Sequence, residues 1–297
     1  MNQPQKVLVV GATGYLGQYA VKALKEAGYW VRALSRTEQK IESVRPFVDD
    51  LFIGEATDPA SLTGICDDIN IVFSSLGITR QKDGLTYMDV DYQANKNVLD
   101  EALAAGVGRF MYISALHADE LRHVKILAAK ELFVDELKAA DIDHIIIRPN
   151  GFFSDMSSFL DMAQNGRIYL FGNGENRANP ICGADLAQAC VAHLNQPGGE
   201  YDIGGPELLT QNEIACQAFA AAGKPVKITH IPLWVKDAAL WFIRTFTSVK
   251  TYGPIEFFMT VLAMDMIAPA YGNHTLKAHF NRMSDSQSDV QKEQNYA

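Results

Sequence analysis

The sequence predicts an α/β protein built on a doubly wound parallel sheet, with a smaller C-terminal lobe. Three observations carry this. Short β-branched runs alternate with amphipathic stretches through the first half, those runs are apolar nearly throughout, and a glycine-rich turn joins the first run to the first amphipathic stretch. Strand–helix alternation implies parallel strands, because each crossover helix lies back across the sheet. Uniformly apolar strands suit a sheet covered by helices on both faces.

The elements follow in order. "KVLVV" (6–10) is the first strand, and a helix over 16–27 places Leu16, Ala20, Leu24 and Ala27 on one stripe before Gly28 ends it. Further strands are expected at "WVRAL" (30–34), "DLFIG" (50–54), "INIVFSS" (69–75), "RFMYIS" (109–114) and "HIIIRP" (144–149). "DPASL" (58–62) opens a helical turn, with Asp58 as cap and Pro59 in the first turn. After residue 150 the rhythm changes: "NGRIYLFGNGENRANP" is turn-rich, "GADLAQACVAHL" (183–194) reads as a helix, and "EYDIGGPE" as a strand and loop. The segment 232–270 carries Trp234, Trp241, Phe242, Phe246, Phe257 and Phe258, which serve either as core or as the lining of an apolar pocket. Residues 283–297 are polar and are expected to form a disordered tail.

Composition excludes several functions. A length of 297 residues suits one large α/β domain or two ordinary ones, and 48% hydrophobic residues supply a core. A net charge of −9 speaks against a nucleic-acid partner. Cys66, Cys182, Cys190 and Cys216 show no C-x-x-C pairing, so buried free thiols are expected, with no metal site and no redox disulfide. The N-terminal "MNQPQKVLVVGATG" has only a four-residue apolar run and is not expected to act as a signal peptide, and the apolar stretch "IEFFMTVLAMDMIAPA" is interrupted by Glu256 and Asp265, too short to span a bilayer. A cytoplasmic location without a transmembrane segment is the expectation.

"VLVVGATGYLGQYAVKALKEAG" places Gly11, Gly14 and Gly17 directly after a strand and at the start of a helix, with Thr13, Tyr15 and Leu16 between them. A β-carbon would stop the backbone turning tightly and approaching a pyrophosphate, while the helix N-terminus offers free N–H groups to it. This strand–loop–helix context predicts a dinucleotide cofactor. Residues 1–150 then form the dinucleotide-binding domain, and 151–282 a smaller substrate lobe that is free to return elements to the main sheet.

The spacing G-x-x-G-x-x-G, together with "GEATDPASL", "YISAL", "AAKE", "IIIRPNGFF", "GADLAQA" and "IGGPELLT", resembles the atypical short-chain dehydrogenase/reductases over roughly residues 5 to 280. Within that family it is similar to NmrA-like proteins, divinyl chlorophyllide reductases and an accessory subunit of respiratory complex I. The resemblance implies a Rossmann fold and a nicotinamide cofactor. Its NAD-binding members end the second strand in an acid; here Ser35 and Arg36 stand there, with Arg32 nearby. A carboxylate repels a 2′-phosphate and a guanidinium pairs with it, so NADP(H) is expected rather than NAD(H). The family's Gly-Asp after the third strand is matched by Glu55 and Ala56.

Ligands in open α/β sheets sit beyond the carboxyl ends of the strands. That rule selects Ser74, Ser75 and Gly77, then Ser114 to His117, then Pro149, Asn150 and Phe152. In the family a tyrosine precedes a lysine at i and i+4, and the lysine lowers the phenol's pKa. Here Lys130 is present but the tyrosine position holds Ile126, and the usual serine falls on Ala115, one residue past Ser114. Alcohol oxidation by the usual route is therefore not expected. Family members that reduce activated double bonds do without the tyrosine, which leaves Lys130, Ser114 and His117 as candidate catalytic groups. The expected activity is NADPH-dependent reduction of an apolar carbonyl, enone or quinone-like substrate. A non-catalytic NADP(H)-binding redox sensor or assembly factor is the rival; a sugar-nucleotide epimerase is a third reading, against which the missing phenol counts. The stretch "LWVKDAALWFIRTF" is amphipathic enough to rest on a membrane surface or a partner protein.

Overall fold

The computed structural model describes residues 4–78 and 84–295, with side chains described through residue 285. The chain divides into two compact units. The first comprises Met1–Pro149, Leu186–Asp202 and Val249–Phe257; the second comprises Asn150–Asp185, Ile203–Ser248 and Phe258–Ala297.

In the first unit, β1 (Lys6–Val10) leads through the glycine turn into α1 (Tyr15–Glu26), then β2 (Trp30–Ser35) and β3 (Asp50–Ile53). Helix α1 ends where expected: Gly28 takes φ +90°, and the Tyr29 N–H donates to the Leu24 carbonyl at 3.1 Å. The Asp58 carboxylate accepts from the Ala60 N–H at 3.1 Å and caps the short 3₁₀ turn Pro59–Leu62. Strand β4 (Ile71–Ser74) is followed by a wide π-type turn, Met88–Ala94, that runs into α2 (Asn95–Ala104). Then come β5 (Arg109–Ile113), α3 (Lys125–Ala139) and β6 (Asp143–Pro149).

The sheet order is β3-β2-β1-β4-β5-β6, and the first six strands pair parallel. After α4 (Ser157–Gln164), β7 (Ile168–Phe171), β8 (Arg177–Ala178) and α5 (Gly183–His193), the strand β9 (Gly199–Ile203) joins beyond β6 as the seventh. Leu8, Val10, Val72, Phe110, Tyr112 and Ile146 face one helical layer, in which Val98, Leu99, Phe133 and Leu137 complete a continuous core. Strand order reverses between β1 and β4, the position where a doubly wound sheet opens a crevice.

The second unit has its own core of Phe153, Phe159, Leu160, Ile168, Phe219 and Phe280. Its remaining elements are β10 (Leu209–Thr210), α6 (Gln211–Ala221), β11 (Ile228–Ile231) and α7 (Leu233–Phe246); α8 (Val249–Val261) and α9 (Leu276–Asn295) follow. A capping box starts α6: Thr210 Oγ1 accepts from the Glu213 N–H, and the Glu213 carboxylate accepts from the Thr210 N–H.

Two expectations meet a different outcome here. Polar composition predicts disorder from residue 283, whereas α9 runs to Asn295; only the last two residues of that stretch lie outside the described ones. The stretch has no glycine or proline to stop it, and Leu276 and Phe280 anchor its first turns in the core. The aromatic residues of α7 are not core: Trp234, Trp241, Phe242 and Phe246 are exposed, and Leu240 alone is buried. Three cysteines are buried free thiols, and Cys216 is an exposed one. No helix among the described residues is long and apolar enough to cross a membrane.

Candidate functional site

The glycine turn is built for close approach. Gly11 adopts φ +83°, a conformation that side chains rarely take, and the Gly14 N–H donates to the Gly11 carbonyl at 2.9 Å. Helix α1 begins with no side-chain cap and no acid in its first turn, so its N-terminal N–H groups and dipole stay available to an anion. The glycines serve different ends. A β-carbon on Gly17 would run into the backbone of Gly11 and Ala12, so this glycine lets the helix pack on the turn. One on Gly14 would meet only the Gly11 carbonyl oxygen, at 3.2 Å, and otherwise project into open space.

That space is a cleft of about 220 Å³ at the switch point. Of the expected cofactor residues, Gly11, Thr13, Gly14, Ser35, Arg36, Glu55, Ala56, Ser75 and Gly77 line it. The sequence did not single out its apolar wall, formed by Leu76, Ile78, Leu85, Val90 and Ala94. These look like ordinary core positions, and only the topology turns them toward the cleft. Gly17, Tyr15 and Leu16 are not in the lining: Leu16 is buried, and Tyr15 packs edge-on against Tyr19 with centroids 5.5 Å apart.

At the end of β2, the buried Ser35 hydroxyl donates to the Thr37 carbonyl at 2.8 Å, which shapes the bend. Arg36 lies at the cleft with its Nε 3.8 Å from Glu55 Oε2, both side chains nearly half exposed. Arg32 is spent elsewhere: it pairs with Asp50 at 2.6 Å and donates to the Ile65 and Asp67 carbonyls.

Lys130 emerges from α3 beside two groups that the sequence did not flag. Its Nζ is 3.1 Å from Oδ1 of the fully buried Asp91, and 5.5 Å from the centroid of the Tyr112 ring. The wide turn at Met88–Ala94 carries Asp91, and Asn95 fixes that turn, accepting from Ser74 Oγ at 2.6 Å and donating to the Asp91 carbonyl at 3.0 Å. The other Asp91 oxygen accepts from the Ile78 N–H at 3.2 Å. Gly77 seals this arrangement, since a β-carbon there would come to 2.6 Å from Asp91 Oδ1 and 2.8 Å from Lys130 Nζ. A cleft-lining glycine thus leaves room for the ammonium behind it; Lys130 itself, like Ser74, is not part of the lining.

Electrostatics in this corner are strong. Burial holds the Asp91 carboxyl above the usual carboxylate range despite the pull of Lys130. Burial also opposes the Lys130 charge, yet Tyr112 and Asp91 beside it outweigh that and hold the ammonium above the ordinary lysine range. Burial likewise raises the Tyr112 phenol. Asp91 Oδ1 is buried against the ammonium, and Tyr112 Oη is buried without a well-directed hydrogen bond beside the same ammonium. A glycine cradle and an uncapped helix terminus beside an open cleft fit the pyrophosphate of a dinucleotide.

The other expected catalytic groups have different company. Ser114 is buried; its hydroxyl donates to Glu131 Oε1 at 2.7 Å, and Arg148 grips the same carboxylate at 2.7 and 2.9 Å. Arg148 also reaches Glu200, so Ser114 belongs to a buried ionic network that ties β5, α3, β6 and β9 together. His117 takes a left-handed φ of 56° after β5, and its Nδ1 lies 3.0 Å from Glu120 Oε1. Pro149 closes β6. The Asn150 amide donates to Asn179 Oδ1 at 2.8 Å and to the Met266 carbonyl at 2.6 Å, a knot within the second unit, where Phe152 bridges to Ile181. The helix position four residues before Lys130 is the buried Ile126. Among the described residues, no group of three His, Cys, Asp or Glu side chains is placed to hold a metal ion.

Comparison with known proteins agrees with this geometry. A family model described as NAD(P)H-binding matches residues 11–197. The chain is 27% identical to the chloroplastic divinyl chlorophyllide a 8-vinyl-reductase of Zea mays, over 93% of this chain and 79% of that protein. It is 25% identical to the photosystem II assembly factor Ycf39 of Guillardia theta, over 76% of this chain and 73% of that protein. Among solved structures, the NADPH-dependent quinone oxidoreductase QOR2 of Escherichia coli, complexed with NADPH, shares the fold with a TM-score of 0.70. That alignment is 18% identical and covers 93% of this chain and 99% of the other.

Proposed function

The chain belongs to the NAD(P)H-binding family, and on that premise we propose that it is an NADPH-dependent reductase of the atypical short-chain type. Its acceptor in this reading is an apolar carbonyl, enone or quinone-like molecule. The observation that carries the proposal is the Lys130 ammonium, fixed by buried Asp91 directly behind cleft-lining Gly77, with no phenol at Ile126. When bound, the cofactor supplies hydride. The chain's own residues do the rest: the turn at Gly11 and Gly14 and the start of α1 take the pyrophosphate, and Lys130 holds ribose hydroxyls. An ammonium kept above the ordinary lysine range stays charged at neutral pH. It stabilises negative charge growing on an acceptor and is a poor proton donor. Solvent, or a group on the substrate side, then protonates the product. Ser114 acts in this scheme by bracing β5 against α3. A relative that is a reductase supports the assignment.

NADPH is the preferred cofactor in this reading because Arg36 stands at the cleft and its contact with Glu55 is loose and half-exposed, so a phosphate can replace it. Replacing Ser35 and Arg36 with Asp and Asn is expected to shift preference to NADH. The lost phosphate contact should weaken NADPH binding by about 1.5–3 kcal/mol, read by calorimetry with both cofactors. Retained NADPH preference would assign the 2′-phosphate to another residue.

A non-catalytic NADP(H)-binding sensor or assembly factor is the second reading, favoured by Ile126 and by likeness to an assembly factor. Following NADPH oxidation against a panel of quinones, enones and aldehydes separates the two. Acceptor-dependent oxidation supports the reductase; tight binding with none supports the sensor. The epimerase reading lacks a phenolic base at position 126.

A further inference from the structure

We propose that helix α7 and the segment leading into it form a docking face for an anionic lipid bilayer. Val235, Ala239, Leu240 and Ile243 are turned inward, and Leu240 is buried. Trp234, Trp241, Phe242 and Phe246 on the same helix are 70%, 66%, 56% and 65% exposed. A cluster of large aromatic side chains is normally covered; here it meets water. Just before the helix and at its first residue, Val226 and Leu233 add to the exposed apolar surface.

Charge identifies the occupant. Between residues 214 and 248 the only acid is Asp237, which pairs with the largely buried Lys236 at 3.1 Å, and three further cations, Lys224, Lys227 and Arg244, lie on the same stretch, in a chain whose net charge is −9. A basic segment set in an acidic protein complements a negatively charged surface. The aromatic side chains narrow it further. Two indoles and two phenyl rings beside lysine and arginine suit the headgroup boundary of a bilayer, where an indole keeps its N–H wet and its ring apolar. With no spanning helix among the described residues, the contact is one of lying on the surface. An acidic membrane face also matches an enzyme whose acceptor partitions into lipid, but the docking claim stands without that activity.

The test is flotation of the full chain with phosphatidylcholine vesicles, with and without phosphatidylglycerol, at low and high salt. Binding is expected with the anionic vesicles, weakening as salt rises. The Trp234→Ser/Trp241→Ser/Phe242→Ser variant should partition about tenfold or more weakly. All three residues are exposed, so its circular dichroism and thermal midpoint should match the parent. Lys224→Glu/Arg244→Glu should lose the preference for phosphatidylglycerol. Absence of binding to anionic vesicles at low salt overturns the proposal. So does sedimentation that shows a parent dimer dissolved by the triple variant, without vesicle binding, which would make this face a contact between copies of the chain.

Discussion

Gly14→Val is expected to abolish dinucleotide binding while the protein stays folded. A β-carbon at this position meets one carbonyl oxygen, at 3.2 Å, and then enters the cleft, so the isopropyl group occupies the volume that a pyrophosphate needs. It also covers the free N–H groups at the start of α1. Affinity should fall about a hundredfold or more, roughly 3 kcal/mol, by calorimetry. Gly17→Ala provides the contrast. Its β-carbon collides with the backbone of Gly11 and Ala12, where no flexible side chain can yield, so the cost falls on folding, at about 1–3 kcal/mol in urea unfolding. The two glycines therefore separate binding from stability. Unchanged affinity in Gly14→Val, with an intact fold, would remove the pyrophosphate from this turn and with it the basis of the cofactor reading.

What the sequence made legible follows from what it encodes locally. β-branched runs, a glycine turn and an Asp-Pro start are short-range signals, so β1 to β6 and the Asp58 cap lie within a residue or two of their expected places. The cleft-facing role of Gly11, Gly14, Arg36 and Gly77 was also legible, because it depends on position relative to strand ends. Long-range partners were not. Asp91 reads as a solvated acid near a helix start, and nothing nearby in sequence says that the turn carrying it points inward to meet Lys130 from another helix. Tyr112 reads as core, and it is core; its hydroxyl, buried without a well-directed hydrogen bond, becomes visible only when α3 lays an ammonium beside its ring. Ser114 is the converse case. Its place at a strand end suggested chemistry, but Glu131 and Arg148, distant in sequence, bind its hydroxyl from within. The outward aromatic residues of α7 show the limit of composition, which counts apolar residues without saying which side of a helix is covered.

Lys130→Met should have the largest combined effect, because this side chain serves stability and function at once. Removing the ammonium leaves Asp91 fully buried without its cation, a loss of about 3–5 kcal/mol if the carboxylate stays charged. Burial already raises this carboxyl, so in the variant it takes up a proton on folding instead. The sign follows. A folded pKa above the unfolded one means that the native state binds more protons, so the variant keeps its stability below the unfolded carboxylate pKa and loses it as pH rises through the folded value. Urea unfolding of Lys130→Met should therefore show a protein more stable near pH 5 than near pH 8. Asp91→Asn/Lys130→Met, with no charge left to bury, should lose that dependence and regain part of the stability. Cofactor affinity stays weak in both variants, because neither has a cation to hold the ribose. If the protein is a reductase, turnover in the double variant falls beyond what weaker binding accounts for, since the growing charge on the acceptor has lost its counter-charge. If it is a sensor, affinity falls alone. A Lys130→Met protein with undiminished stability at both pH values, and with unchanged NADPH affinity, would show that the buried pair does neither job.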